Sequence, residues 1–507
     1  MNSKNWAIRF IAIMTLLVIV FVWFSGSQAK EKQEIKHIIL FIGDGMHLEH
    51  ERATSRYLYG KDFDLSWHKF QYSVPVATWD VTTYNKYAAV SREPSYQPMT
   101  IDPSVGYDVR RGGKRPFPLD KNIDDDYFLK PTTFATDSAS AGTAISTGYK
   151  TDDGNIAWLP SDPPAGKLKT IAEMLRGQKG FSIGVVSTVP FTHATPASFV
   201  SHNISRNNYF QIADEIIRDI KPEVVIGGGH PNWNNKFMSA TLYNDVKADP
   251  SSFGYVFVER VANQNGAENL RKAAQQAIGS NKKLFGLYGG KGGHFEPPIP
   301  IDSPGSPEVT SATTENPLLR DATIAALEVL SQDIDGFFLM VEQGDIDWAN
   351  HANNYKWMIG TVWDLEEAVK AAVAFVNRPG DNIDWDNTIL IVTSDHANSY
   401  MRLTGEPALG IGDLPRQIGR DYAWRYPDGE VTYSTTNHTN ELVMLYSIGG
   451  KANKLFKSYE GEWYPCTRII DNTHIFNVLA EATDIPDRSR LKVTLKKPSF
   501  CSKISLN

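Results

Sequence analysis

The sequence predicts an α/β fold, organised as a three-layer α/β/α sandwich with a large, mainly parallel central sheet. Apolar runs of strand length alternate along the chain with amphipathic segments of helix length, which is the pattern of parallel strands joined by helices. The 507 residues are 41% apolar and carry a net charge of −7, a composition typical of a globular chain with a large core. This mild acidity argues against nucleic-acid binding, which favours a basic surface.

Five apolar runs predict strands of that sheet, and each ends in polar residues or glycine. In chain order they are HIILFIGDGM (37–46), FSIGVVSTVPFTHATP (181–196), EVVIGGGH (223–230), GFFLMVEQGDID (336–347) and TILIVTSDHA (388–397). Segments with helical periodicity lie between them, at 167–178, 208–220, 318–332 and 355–376. Because ligands bind beyond the carboxyl ends of parallel strands, we expect these polar ends to converge on one site.

Acidic residues or histidines follow four of the predicted strands. A single acid such as Asp44 after a strand is usually a turn former or a helix cap, and a lone histidine is usually a satisfied core or surface residue. Their recurrence favours another interpretation, because clustered carboxylates repel one another unless cations are present. Carboxylates together with imidazoles are the ligands of zinc-type sites. The candidates at the strand ends are Asp44, His193, Glu342, Asp345, Asp347, Asp395 and His396.

Residue spacing adds two histidines to this set. Asp347 and His351 are four residues apart, so on a helical turn they share one face and both can bind one ion. His438 lies in the polar stretch TTNHTN before another apolar run, and on its own it would be unremarkable. The two cysteines, Cys466 and Cys501, are too few for a thiolate metal cluster, and the sequence does not show whether they form a disulfide.

A nucleophile and an anion-binding residue can also be proposed. Ser138 opens the small-residue segment SASAGTAIS, and a serine at a helix N-terminus lies where anions are favoured. Alone it would be an ordinary N-cap, whereas beside a metal cluster it becomes a candidate nucleophile. The guanidinium of Arg206 suits two phosphate oxygens, although alone it would be a surface salt-bridge residue.

The N-terminal segment predicts export. Lys4 and Arg9 precede an apolar block of fourteen residues, and small residues up to Ala29 follow it. This is the layout of a signal peptide over residues 1–29, which leaves a periplasmic or extracellular catalytic domain over residues 30–507. The alternative is an uncleaved membrane anchor, but a full span needs about 20 apolar residues.

Over roughly residues 35 to 480 the chain resembles the metal-dependent alkaline phosphatases. The motifs that carry the resemblance are FIGDGM, TDSASAGTA, THATPASFVSHNISR, VEQGDIDWANHA, TSDHA and NHT, in that order. The resemblance implies phosphate monoester hydrolysis through a phosphoserine at Ser138, with Arg206 clamping the phosphoryl oxygens and Asp137 orienting Arg206. It also implies a homodimer.

The same resemblance assigns three metal sites. One Zn²⁺ would be bound by Asp347, His351 and His438, and a second by Asp44, Asp395 and His396. A Mg²⁺ would lie near Asp44, Thr195 and Glu342. Two residues depart from the enterobacterial pattern, since His193 replaces an aspartate and Trp348 replaces a lysine. We therefore expect the third site not to be strictly a magnesium site, and expect His193→Asp to raise its magnesium affinity.

Several segments fall outside these motifs. Residues 84–130 and 399–434 are predicted insertions near the site, for which a functional role and a plain connection are equally consistent with the sequence. GFSIG at 180–184 is predicted to be strand rather than a nucleophile elbow, and GGKGGH at 289–294 a turn. The alternative functions are a phosphodiesterase or sulfatase of the same superfamily, or a non-catalytic exported binding protein.

Overall fold

A computed structural model describes residues 34–91, 119–120, 128–129, 134–420, 423–462 and 467–486. The described residues from Ile35 onward form one compact unit. The predicted signal peptide, Cys466, Cys501 and most of the 84–130 insertion lie outside the described residues. Among the helices that are described, none has the length and apolar character needed to cross a membrane.

Within the described residues, ten strands form the central sheet. They are β1 His37–Gly43, β2 Tyr72–Ala77, β3 Ser182–Pro190, β4 Val224–Gly228, β5 Tyr255–Glu259, β6 Lys283–Leu287, β7 Phe337–Gln343, β8 Thr388–Thr393, β9 Val443–Ile448 and β10 Ile470–Asp471. Their spatial order is β10-β2-β9-β8-β1-β7-β3-β4-β6-β5. The five strands predicted from the sequence are all present, and Ser182 opens β3 as expected.

Nine of these ten strands run in one direction, and β9 runs against them because it is antiparallel to both β8 and β2. The central strand β1 pairs in parallel with β7 and β8, and β7 pairs in parallel with β3. The carboxyl ends of β1, β3, β7 and β8 therefore meet at one edge of the sheet. The start of β9 lies at that same edge, which brings the segment before it to the site.

Helices cover both faces of the sheet. They are α1 Leu48–Tyr59, α2 Val81–Ser91, α3 Ser138–Thr147, α4 Ile171–Lys179, α5 Ala194–Val200, α6 Tyr209–Asp214, α7 Ala240–Ala248, α8 Gly266–Ser280, α9 Leu319–Leu330, α10 Asp345–His351, α11 Tyr355–Val376, α12 Ala452–Tyr459 and α13 Thr473–Ala482. A π-helical turn, Glu215–Ile220, continues α6, and 3₁₀ turns lie at Ser66–Lys69 and Pro250–Phe253.

The apolar core has two layers, one on each face of the sheet. Along β1, Ile38, Leu40 and Ile42 pack against the layer that includes α3 to α7, α12 and α13. Ile39 and Phe41 pack against the layer of α1 and α8 to α11. Every residue of β1 is buried, as expected for a parallel strand covered on both sides. The predicted three-layer α/β/α fold is confirmed.

Short antiparallel pairs lie outside the sheet. Ala397–Asn398 pairs with His438–Thr439, and Ile299–Ile301 with Glu308–Thr310. The predicted insertion at 399–434 contains two further pairs, Arg402–Leu403 with Val431–Thr432 and Ile418–Arg420 with Ala423–Arg425. Leu119–Asp120 pairs with Phe128–Leu129 inside the 84–130 insertion.

Candidate metal centre and nucleophile

The predicted metal ligands lie at the carboxyl edge of the sheet because strand register brings them there. Ile42 of β1 is opposite both Glu342 of β7 and Thr393 of β8, so Asp44 and Asp395 follow adjacent strand ends. The backbone N–H of Gly45 donates to Asp395 Oδ1 at 3.1 Å, which ties the two ends together.

The first ligand group contains Asp347, His351 and His438. Asp347 and His351 lie one turn apart on α10, as predicted, and His351 Nε2 is 3.2 Å from Asp347 Oδ2. His438 Nε2 lies 3.3 Å from Asp347 Oδ1 and 3.1 Å from His351 Nε2. His438 reaches the group from the short pair Ala397–Asn398 with His438–Thr439, ahead of the antiparallel strand β9.

Backbone carbonyls fix the orientation of these two imidazoles. His351 Nδ1 lies 2.6 Å from the carbonyl oxygen of Thr436, and His438 Nδ1 lies 2.8 Å from that of Thr136. Donation from Nδ1 places the lone pair on Nε2 in both rings, so the two Nε2 atoms face each other as acceptors beside a carboxylate. That arrangement suits a shared cation, and backbone support of this kind is typical of metal-bound histidines.

The second ligand group contains Asp44, Asp395 and His396, all buried. His396 Nε2 is 3.3 Å from Asp44 Oδ1 and 3.4 Å from Asp395 Oδ2. Asp44 Oδ1 and Asp395 Oδ2 accept no hydrogen bond from any described residue. Potential ligand atoms of these three residues lie within 4.8 Å of one another, and so do those of Asp347, His396 and His438. His396 therefore adjoins both groups, and its ring stacks on that of His438 at 3.7 Å between centroids.

The residues predicted for a third metal, Thr195 and Glu342, are also buried at this edge. Glu342 Oε2 accepts a hydrogen bond from Ser187 Oγ. Apart from the approach of the Thr195 hydroxyl to the Glu342 carboxylate, Glu342 Oε1 and Thr195 Oγ1 have no hydrogen-bond partner among the described side chains and backbone. Oxygen donors left open in this way fit a hard cation such as Mg²⁺. His193 is the N-cap residue of α5, the helix that carries Thr195.

The electrostatics of the cluster support occupancy by cations. Burial, followed by the charges of Asp395 and Asp347, raises the pKa of Asp44 well above its ordinary value. Burial also raises the pKa of Glu342 to about 8. Burial raises the pKa of Asp347, but the imidazoles of His438 and His351 lower it by more. The pKa of Asp347 therefore lies well below its ordinary value. Carboxylates this deeply buried are stable in ionised form only with positive charge beside them.

Ser138 lies against the second ligand group. It is the first residue of α3, with Asp137 as the N-cap that accepts from Ser140 N–H at 2.9 Å, so the predicted helix start is confirmed. Ser138 Oγ is 3.2 Å from His396 Nε2 and 3.4 Å from Asp44 Oδ2. A hydroxyl here adjoins both a metal-ligand cluster and the positive end of a helix dipole.

Arg206 is held beside this serine by Asp137. Its Nη1 donates to Asp137 Oδ2 at 2.9 Å, and Gly154 N–H donates to the same oxygen at 3.2 Å. Burial raises the pKa of Asp137, but the charge of Arg206 outweighs it, and the pKa falls to about 2. The backbone N–H of Arg206 donates to the carbonyl of Gly154 at 2.7 Å, which fixes the backbone as well. The guanidinium is thus presented in one orientation.

Two parts of the site were not found by sequence reasoning. His294, in the segment predicted as a turn, has Nδ1 2.5 Å from Asp345 Oδ1 and its ring 4.9 Å from that of Trp348. The insertion at 399–434 supports the end of α10, because Trp424 N–H donates to Ala352 at 2.9 Å and Tyr426 Oη donates to Asn353 at 2.7 Å. The glycines before His294 indicate a turn that could bring this histidine close to another segment. Nothing in the sequence indicates what Trp424 contacts.

Known proteins resemble this chain both in sequence and in structure. Residues 120–412, more than half of the chain, match the family model described as alkaline phosphatase. Alkaline phosphatase 3 of Bacillus subtilis is 30% identical over 381 residues, which cover 74% of this chain and 64% of that protein. Alkaline phosphatase 4 of the same organism is 27% identical over 447 residues, covering 85% and 78% respectively.

A solved structure has the same fold. It is a variant of the alkaline phosphatase from the Antarctic bacterium TAB5 with magnesium bound, and it superposes with a TM-score of 0.57 at 23% identity. The alignment covers 90% of this chain and 100% of that one. The likeness therefore extends well beyond the matched family segment.

Proposed function

We propose, since this chain belongs to the alkaline phosphatase family, that it hydrolyses phosphate monoesters and releases inorganic phosphate. The observation that carries the proposal is the position of Ser138 Oγ, 3.2 Å from His396 Nε2 and 3.4 Å from Asp44 Oδ2. A nucleophile beside metal ligands, with Arg206 oriented on Asp137, is the arrangement that phosphoryl transfer requires.

The reaction on this site has two steps. In the first, Ser138 Oγ loses its proton and bonds to phosphorus as the bond from phosphorus to the alcohol oxygen breaks, and the alcohol leaves with a proton. In the second, water attacks the phosphoserine, restoring the Ser138 hydroxyl and releasing phosphate. In both steps, terminal N–H groups of Arg206 would donate to two non-bridging oxygens of the phosphoryl group, because the ion pair with Asp137 fixes the position of the guanidinium.

The metal ions are part of the proposal. Asp347, His351 and His438 would hold one Zn²⁺, Asp44, Asp395 and His396 a second, and Asp44, Thr195 and Glu342 a Mg²⁺. Magnesium is bound in a TAB5 variant in which aspartate replaces a histidine; because this chain has His193, we propose that its third site is not strictly a magnesium site. When bound, two such ions neutralise charge on the attacking and departing oxygens. The open oxygens of Asp44, Asp395 and Glu342 are consistent with this ligand set.

The proposed function is tested by comparing monoester with diester hydrolysis, with and without bound metal. The purified protein is assayed on a nitrophenyl phosphate monoester and on the matching diester, each with and without a chelator. Monoester turnover that is lost on chelation and restored by zinc supports the proposal. Preferred cleavage of the diester would assign a phosphodiesterase instead, and no turnover at full metal occupancy would indicate a non-catalytic binding protein.

We also propose export and dimerisation. The charged and apolar segment before Ala29 supports cleavage there and a periplasmic or extracellular enzyme. Intact mass of the mature protein tests this cleavage, since a chain beginning at Met1 would indicate an anchor.

Sedimentation velocity tests the homodimer that the family resemblance implies.

A further inference from the structure

The segment GGKGGH after β6 has a conformation that its glycines permit. Gly289 and Gly293 have φ of +102° and +89°, where side chains are strained. A Cβ on Gly289 would lie 2.6 Å from the carbonyl oxygen of Gly293, and one on Gly293 would lie 2.4 Å from the ring of Phe237. The chain therefore turns tightly here and delivers His294 onto the first turn of α10.

His294 contacts two residues of that turn. Its Nδ1 lies 2.5 Å from Oδ1 of Asp345, which is only 1% exposed. Neither oxygen of Asp345 accepts a hydrogen bond of good geometry within the described residues, so the close charge contact with His294 is what faces this carboxylate. The His294 ring also packs edge-on against Trp348, with centroids 4.9 Å apart and an angle of 63° between the planes. Because Asp345 and Trp348 are three residues apart on a helix, one imidazole covers both.

Trp348 has a second imidazole against it. Its centroid lies 5.7 Å from that of His193, at an interplanar angle of 79°. His193 Nε2 is in turn 3.5 Å from Nη2 of Arg206, the guanidinium that Asp137 orients. A continuous chain of contacts thus runs from Asp345 through His294, Trp348 and His193 to the phosphate clamp.

We propose that His294 is a positioning residue for phosphate binding: paired with Asp345, it fixes Trp348 against His193 and so limits the positions open to Arg206. This inference rests on the proposed function. Removing the imidazole leaves a buried carboxylate without its partner and frees one side of the indole. Arg206 then samples positions away from the phosphoryl oxygens, which weakens phosphate binding more than it slows the chemical step.

The test uses the zinc-loaded enzyme and inorganic phosphate, with affinity measured by calorimetry as well as by inhibition of turnover. His294→Ala is expected to weaken phosphate binding about tenfold, with kcat changed less than about threefold, because a less restrained Arg206 holds the phosphoryl oxygens less well while Ser138 and the candidate metal ligands stay in place. His294→Gln keeps a donor for Asp345 and a planar group against Trp348, so it should recover most of the affinity.

His230 provides a matched control. It also follows a glycine-rich strand end, but its Nε2 lies 3.1 Å from Glu259 Oε2 and its ring centroid 5.3 Å from that of Tyr243. His230→Ala should cost thermal stability as His294→Ala does, but leave phosphate affinity unchanged. In a Trp348→Ala background, the effect of His294→Ala on affinity should largely disappear, since the contact chain is already broken.

Three results would overturn the inference: unchanged phosphate affinity in His294→Ala and His294→Gln, an equal affinity loss in His230→Ala, or full additivity with Trp348→Ala. These outcomes are separate from failure of the proposed function. An unmodified protein that does not hydrolyse monoesters refutes the function itself, whereas an active protein insensitive to His294 refutes only the positioning role.

Discussion

Replacing His202 with glutamine should destabilise the protein at pH 6 much more than at pH 10. His202 Nδ1 lies 3.0 Å from Glu215 Oε1, and its Nε2 lies 3.0 Å from the Leu168 carbonyl and 3.2 Å from Glu173 Oε2. Burial lowers the pKa of His202, but the two carboxylates outweigh burial and raise it from 6.5 to about 9. None of these residues is a candidate metal ligand, so the effect does not depend on metal occupancy.

The stabilisation weakens at high pH because the pKa of His202 is higher in the folded protein than in the unfolded chain. Stabilisation by the protonated His202 is complete below about pH 6.5 and is lost as the pH rises through about 9. A span from 6.5 to about 9 corresponds to about 3 kcal/mol, at about 1.4 kcal/mol for each pH unit. His202→Gln should therefore lower the free energy of unfolding by about 3 kcal/mol more at pH 6 than at pH 10.

The assay is denaturant unfolding of both proteins at the two pH values and constant zinc. His37 is a suitable control, because burial lowers its pKa to about 4. His37→Gln should show the opposite trend: its loss in free energy of unfolding should be about 1 kcal/mol smaller at pH 6 than at pH 10. An equal loss of stability at both pH values in His202→Gln would refute the assigned ion pairs.

Three further predictions concern the site. Ser138→Ala should abolish the phosphoenzyme, because its Oγ is the proposed nucleophile; labelled phosphate trapped on another residue after acid quench would contradict this. His193→Asp should raise magnesium affinity by adding a carboxylate at the N-cap of the helix that carries Thr195, and an unchanged magnesium titration would count against it. Chelation should lower the melting temperature, since Asp44 and Asp395 then share a buried site without cations; a melting curve that does not move would show that the cluster needs none.

Much of the fold and of the candidate ligand set was predictable from the sequence. The carboxyl ends of parallel strands share one edge, so Asp44, Glu342 and Asp395 were expected to meet, and the structure brings them together. His438 was harder to place, because it precedes a strand, and ahead of a parallel strand it would lie at the far edge. The antiparallel direction of β9 puts it at the site, and apolar periodicity carries no information on strand direction.

Tertiary contacts between loops were not predictable. GGKGGH was correctly predicted as a turn, but its target, the Asp345 and Trp348 face of α10, depends on how two glycine-rich strand ends pack. A Cβ on Gly228 would lie 2.1 Å from the carbonyl oxygen of Gly293, so the close approach of these ends requires glycine. The sequence contains the glycines but not the partner that each of them approaches.

We propose above all that separate strand ends gather carboxylates and imidazoles around paired divalent cations beside Ser138. Anomalous diffraction at the zinc absorption edge, from crystals of catalytically active protein, tests it most directly. We predict one zinc peak bounded by Asp347, His351 and His438, and a second bounded by Asp44, Asp395 and His396, next to Ser138 Oγ. Fully active crystals without anomalous density at these two positions would contradict the account.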